Sequence, residues 1–426
     1  MIDGLAIVSI LIVGYAAFAR RLAGRSITMP MVFVVGGYLL GPDAFGVLEL
    51  SPDTESIKRL VELTLVLLLF ADAATLNFAQ LRQDVRLPGR LLGIGLPLTL
   101  ALGGLAAYVF YSSEGLAFAL LVGAILAPTD AALGMAIFSN PRIPTRIRRA
   151  LNVESGLNDG IVAPFVTLFI AYAASSGPEH HGNWFAEAAK EIGLAVLVAI
   201  AVGVIGGALL TFAHRRGWTS EHLVQLGVAG LAATSYFCAL AIHGNGFVAA
   251  FLGGLIFGAA TRGNFNEETE FTESSGTLLS LIVWVVFGAV LVTVVLGDDG
   301  LDARPILLAV VSLTVVRILP VALALLGTGM RRDTVLLMGW FGPRGLASVV
   351  FTLLAISAFD EAGRDSHTLI EVATWTILLS VIAHGISAGP LANLYARRLD
   401  AARATQPDLA ELEHVPEPRE RRKMIA

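Results

Sequence analysis

The sequence predicts an all-α polytopic membrane protein. Three observations carry that reading: too little charge for a soluble chain, repeated apolar runs of bilayer length, and ionisable residues set beside prolines inside two of those runs. The 426 residues are 55% hydrophobic and 15% charged, with a mean hydropathy of +0.74, whereas soluble domains carry about 25% charged residues. The net charge of −5 gives no reason to expect nucleic-acid binding. No nucleotide-binding loop is present, which argues against ATP-driven pumping. The single cysteine, Cys238, cannot form an internal disulfide; inside an apolar run it reads as a small buried packing residue. The first apolar run, Ile2 to Phe18, lacks a small-residue cleavage site and reads as a retained span.

A bilayer core takes roughly 20 apolar residues per helix, with shorter spans tolerated, which yields about thirteen segments here. They fall near 2–18, 27–41, 60–76, 91–111, 116–138, 151–174, 188–213, 221–242, 246–261, 276–296, 303–326, 334–357 and 369–395. Lys and Arg are retained on the cytoplasmic side. With the N-terminus outside, 22 of the 29 Lys and Arg fall in cytoplasmic segments, and Arg317 and Arg344 lie inside spans. The C-terminus is then cytoplasmic, and 399–426 reads as a charged tail, a helix that frays into disorder.

Charge in the hydrocarbon region is costly and usually functional. Asp130 follows Leu126-Ala127-Pro128-Thr129. Proline removes a helical hydrogen bond and frees a carbonyl one turn back. A broken helix at that depth is tolerated only when covered by protein or lining a wet cavity. Freed carbonyls, the Thr129 hydroxyl and a carboxylate form an oxygen-rich cradle suited to a hard cation such as Na⁺; a kink with Asp130 as a helix cap is the plainer reading, and the two are compatible. In Asn152-Val153-Glu154-Ser155-Gly156-Leu157-Asn158-Asp159, Glu154 and Asn158 share one helix face, Ser155 and Asp159 the neighbouring one. Two carboxylates at one depth cannot both stay free charges. Glu154 is assigned a permanent partner, Arg317 or Arg344, and Asp159 a reversible load.

Arg344 lies in Gly342-Pro343-Arg344-Gly345, so the twelfth span is interrupted like the fifth. Seven spans apart, the two run in opposite directions, as two inverted six-helix repeats joined by a linker span would place them. Matching interruptions in inverted halves point to a transporter site at the bilayer midplane. Asp72 could belong to an ion funnel, although helix-end solvation accounts for it equally. Glu62 reads as interfacial beside Lys58 and Arg59. Gly254 and Gly258 fit close helix packing, and His180 and His181 read as solvated loop residues. Gly385-Ile386-Ser387-Ala388-Gly389 matches G-x-S-x-G but lies in an apolar helix, not at a strand–turn–helix elbow, so no enzyme is expected.

At Pro128-Thr129-Asp130 and Glu154-Ser155-Gly156-Leu157-Asn158-Asp159 the chain resembles NhaP-type sodium/proton antiporters of the cation/proton antiporter 1 family. Val316-Arg317-Ile318 and Gly345-Leu346 after Arg344 add to the likeness, which covers residues 1–398. The resemblance implies the NhaA-like antiporter fold and a homodimer in the inner (plasma) membrane of a prokaryote. It implies a dimerisation or scaffold domain at 1–89 and 185–300 (spans 1–3 and 7–10) and a moving core at 90–175 and 301–398 (spans 4–6 and 11–13). It implies a cation site of Asp159, Asp130, Ser155 and Thr129, with Glu154 held by Asn158 and an arginine, Arg317 before Arg344. No cofactor is implied; the partners are lipid, a second copy, and the transported Na⁺ (or Li⁺) and proton. Related electrogenic antiporters carry paired aspartates where this chain has Asn158-Asp159, so electroneutral one-for-one exchange is implied. K⁺/H⁺ antiport is the near alternative. A cation channel is a remoter one, since no selectivity-filter repeat is visible.

Overall fold

The computed structural model describes residues 2–48, 55–76, 84–175, 184–297, 302–404 and 409–413. His180 and His181 lie outside the described residues. The helices in order are α1 (Ile2–Ala23), α2 (Met29–Leu40), α3 (Glu55–Ala74), α4 (Arg86–Phe110), α5 (Gly115–Ile125), α6 (Met135–Phe138), α7 (Thr145–Ala174), α8 (Ala186–Arg215), α9 (Glu221–Ala241), α10 (Gly246–Thr261), α11 (Asn266–Gly297), α12 (Ala303–Leu313), α13 (Val315–Ala324), α14 (Arg332–Trp340), α15 (Leu346–Glu361) and α16 (His367–Arg403). Each apolar segment of the sequence falls on helix, and the described residues contain no strand. Among the described residues, seven of these helices, and α12 with α13 taken as one span, are long and apolar enough to cross a membrane by length and composition.

The breaks sit where sequence chemistry puts them. α5 stops at Ile125, three residues before Pro128, and helix resumes after Asp130. α14 stops at Trp340 and α15 starts at Leu346, with Gly342, Pro343 and Gly345 between. A third break was not foreseen: the segment 303–326 is interrupted at Thr314, whose φ of −109° and ψ of −83° leave the helical region. Pro320 follows inside α13 and cannot donate to Val316. Arg317 therefore sits on a short helix bounded by two irregularities.

Chain contacts divide into two compact units. One comprises 1–54, 84–155 and 281–426. Its core includes Leu87, Leu91, Ile147 and Leu151 with Val321, Met338, Phe341, Tyr395 and Leu399. The other comprises 55–83 and 156–280. There α10 lies directly against α3: a Cβ on Gly254 would strike the Phe70 carbonyl, and one on Gly258 the Ala74 carbonyl. Small residues are thus required for this helix contact. Glu62 accepts from Arg59 at 3.3 Å at the start of α3, as its position beside the cations suggested. Cys238 is exposed, not buried. A membrane helix can turn an apolar residue outwards, because lipid supplies the apolar surroundings that a protein core would otherwise provide.

The tail departs from expectation as well. α16 runs to Arg403, and its 37 residues make roughly 55 Å of helix, well beyond a hydrocarbon core of about 30 Å. Residues 409–413 do not fray but fold back on the unit that carries α16. Leu409 packs on its core. Glu411 is fully buried, and its Oε1 accepts from the Arg331 amide and the Thr334 hydroxyl, each at 2.7 Å. Arg146 donates to the Ala410 carbonyl at 2.6 Å and pairs with Asp84 at 3.0 Å. A carboxylate at the start of α14 also meets the positive end of that helix. Glu411→Ala is expected to destabilise by about 2 kcal/mol, because it removes the acceptor of the Arg331 amide and one of the two partners of the buried Thr334 hydroxyl, the other being Tyr395 at 3.0 Å. Limited proteolysis should cut the tail faster in this variant, and an unchanged rate would contradict the burial described.

Candidate functional site

The interrupted segments before α6 and before α15 belong to one unit and meet each other. Ala127 and Pro128 lie just past the end of α5, in the first break. Arg344, fully buried, donates from Nη1 to both carbonyls, at 2.9 and 3.3 Å. A cation at a helix C-terminus meets the negative end of the dipole. Asp130 makes the converse contact. Its Oδ2 accepts from the Leu346 amide, the first of α15, at 3.1 Å, and its Oδ1 from the Ala132 amide at 2.7 Å. Its own amide donates to the Pro343 carbonyl at 2.9 Å. Each break therefore supplies the charge that the other's helix end requires. Ser348 adds a bond to the Ile125 carbonyl at 2.7 Å.

The two glycines are steric requirements of this arrangement. A Cβ on Gly345 would run into the Asp130 carboxylate, and one on Gly342 into the Arg317 guanidinium.

Glu154 and Arg317 form a bidentate pair: Nη1 to Oε1 at 2.6 Å and Nη2 to Oε2 at 3.0 Å. Both side chains are 1% exposed. The short helix between Thr314 and Pro320 aims Arg317 at α7, whereas Arg344 is committed to the carbonyls of the first break. A fork-to-fork pair answers both charges at once, which a buried carboxylate needs.

Two successive turns of α7 carry Glu154 with Ser155 and Asn158 with Asp159. Ser155 reaches Thr129 of the first break, hydroxyl to hydroxyl at 3.2 Å. Thr129 is 2% exposed and Ser155 9%. The two hydroxyls are oxygen donors of the kind a hard monovalent cation takes, whereas the Ala127 and Pro128 carbonyls are engaged by Arg344. Asn158 is fully buried, and Asp159 lies half-buried a single turn after Ser155. Asp72 is half-buried near the end of α3.

Sequence reasoning passed over three residues of this region. His384, Ser380 and Trp340 are bonded around the second break. The signal for His384 was present, since an ionisable side chain in an apolar run meets the same test as Asp130 or Arg344. Ser387 of the G-x-S-x-G match lies within α16 and accepts from the Trp340 indole at 2.9 Å.

Residues 7–394 match the family model described as "Sodium/hydrogen exchanger, transmembrane". The K(+)/H(+) antiporter NhaP of Alkalimonas amylolytica is 25% identical over 381 residues, covering 89% of this chain and 64% of that protein. This chain thus spans less than two thirds of that relative's length. The Na(+)/H(+) antiporter NhaP of Pseudomonas aeruginosa is 27% identical over 345 residues, 76% of this chain and 78% of that protein. The solved structure of the sodium proton antiporter MjNhaP1 from Methanocaldococcus jannaschii matches with a TM-score of 0.74 at 21% identity, over 93% of this chain and 99% of that one. The fold is therefore shared with that antiporter.

Removing one partner of the buried pair is the sharpest structural test. Glu154→Gln leaves the Arg317 charge uncompensated and is expected to cost about 3–5 kcal/mol. Thermal unfolding in detergent measures it, and a variant as stable as the parent would refute the pairing.

Proposed function

The chain belongs to the sodium/hydrogen exchanger family, and on that premise we propose that it exchanges a monovalent cation for protons by alternating access, with Asp159 as the exchanging carboxylate. The observation that carries the reading is the Thr129–Ser155 hydroxyl contact at 3.2 Å. It brings the oxygen-rich first break to the helix on which Asp159 follows Ser155 by one turn.

Asp159 holds either a proton or a partly dehydrated cation. Thr129, Ser155 and Asp130 contribute oxygen ligands to the cation. Glu154 is not available for loading, because Arg317 neutralises it permanently. An empty, charged Asp159 is costly to carry through a low-dielectric barrier, which suppresses leak. Proton and cation compete for the same oxygens, so exchange slows at low pH, where the proton wins. With Asn158 before Asp159, the cycle moves one cation against one proton and no net charge.

The N-terminus faces outwards and the C-terminus the cytoplasm, in the inner membrane of a prokaryote. Two copies assemble through 1–89 and 185–300, and 90–175 with 301–398 carries the ions. Na⁺ is the favoured cation. K⁺ is the second reading, favoured because the Alkalimonas protein is named a K(+)/H(+) antiporter.

Flux in sealed vesicles against an imposed pH gradient, with Na⁺, Li⁺ and K⁺ compared, decides the cation. Asp159→Asn is expected to abolish exchange of every cation while the protein still unfolds cooperatively; substantial exchange in that variant would remove Asp159 from the mechanism. Cation addition is also expected to drive no current across a membrane bearing the purified protein. A steady cation-dependent current would overturn the one-for-one stoichiometry.

A further inference from the structure

The second break is five residues of non-helical backbone, Phe341 to Gly345, in an apolar segment. Its polar groups need partners from the protein. One face is answered by the first break, through Asp130 and Arg344. The other face is answered by α16. Ser380 and His384 are one helical turn apart, on the same face, and both fully buried. The Arg344 amide donates to the Ser380 hydroxyl at 2.6 Å. His384 Nε2 lies 2.9 Å from the Trp340 carbonyl, at the end of α14. The Ser380 hydroxyl accepts the Arg344 amide and has its own proton to give to Nδ1, so the single proton of a neutral imidazole sits on Nε2, aimed at the Trp340 carbonyl. Nδ1 lies 3.2 Å from the Ser380 hydroxyl and 3.0 Å from its carbonyl. The imidazole ring also lies over Trp340, with centroids 4.8 Å apart and planes at 30°.

Ser380 and His384 thus grip the two ends of the break: Trp340 as it leaves α14 and Arg344 just before α15. Between those grips lies the Pro343 carbonyl that receives the Asp130 amide. Directly after them comes the Leu346 amide that holds the Asp130 carboxylate. Slack in this backbone would be passed straight to Asp130.

We propose that His384 and Ser380 are positioning residues that moor the Phe341–Gly345 backbone to α16, and thereby set the placement of Asp130 and the apparent affinity for the transported cation. The affinity part rests on the antiport reading above; the mooring does not.

The donor at Nε2 makes the proposal testable with side chains of nearly equal size. In His384→Gln the amide nitrogen reaches the place of Nε2 and donates to the Trp340 carbonyl. In His384→Asn the amide stops near the place of Nδ1, and that carbonyl loses its donor from α16 and keeps the Gly342 amide of the break itself, at 2.9 Å. Vesicle flux with the most rapidly exchanged cation should show His384→Asn raising KM by about tenfold, with saturated turnover within about twofold of the parent. His384→Gln should restore KM to near the parental value. Parental KM in His384→Asn would overturn the proposal, as would an equal loss in both variants.

Backbone hydrogen exchange gives a readout independent of transport. The Arg344 amide should exchange faster in Ser380→Ala, and amides 341–345 faster in His384→Asn but not in His384→Gln. Unchanged protection in both Ser380→Ala and His384→Asn would overturn the mooring. A parent that exchanges no cation while these protection changes appear would defeat the antiport reading and leave the mooring standing.

Discussion

A backbone that leaves the helix inside a membrane must find its hydrogen bonds and its countercharges within the protein. In this chain the demand is met by exchange between two breaks. Asp130 of the first sits at the amide end of α15, and Arg344 of the second at the carbonyl end of the first half-helix. Each charge does for the other strand what water would do outside the membrane. Close approach is part of the same constraint, since a side chain at Gly345 would occupy the place of the Asp130 carboxylate. The prolines, glycines and charges of the two segments are thus one structural solution.

The division of labour among the ionisable groups follows from it. Arg344 is engaged with carbonyls through Nη1, and it is Arg317 that makes the bidentate pair with Glu154, from a short helix bounded by Thr314 and Pro320. Glu154 is paired and Asp130 is bonded through both carboxylate oxygens to backbone amides; Asp159 is the acid proposed to change its load. The bound oxygens of Asp130 still have lone pairs for a cation. In the proposed site its share is that of a fixed ligand, held in register by the second break.

Much of this could be read in the sequence, and the reason is physical. Apolar periodicity and length mark helices that must satisfy their own backbone in lipid. Charge is so costly there that Asp130, Glu154, Asp159, Arg317 and Arg344 stand out individually. Proline and glycine mark the two breaks around Pro128 and Pro343. Other features depend on contacts between distant segments and leave weaker traces. Thr314 interrupts its helix with no proline at the break itself. Two arginines were available to Glu154, and only the three-dimensional arrangement assigns Arg317 to it. Glu411 becomes visible through its partner, the start of α14, and the role of His384, though not its presence in an apolar run, through the Trp340 carbonyl. Cys238 shows the converse, because an apolar run does not tell whether a residue faces protein or lipid.

The central claim is that one carboxylate holds proton and cation in mutual exclusion. Proton release on cation binding by the purified protein, followed in weak buffer over a series of pH values, measures this without transport. Competition at Asp159 predicts release that approaches one proton per bound cation as the pH is lowered into the range where the site is protonated, and no release in Asp159→Asn. Cation binding with no proton released at any pH would contradict it.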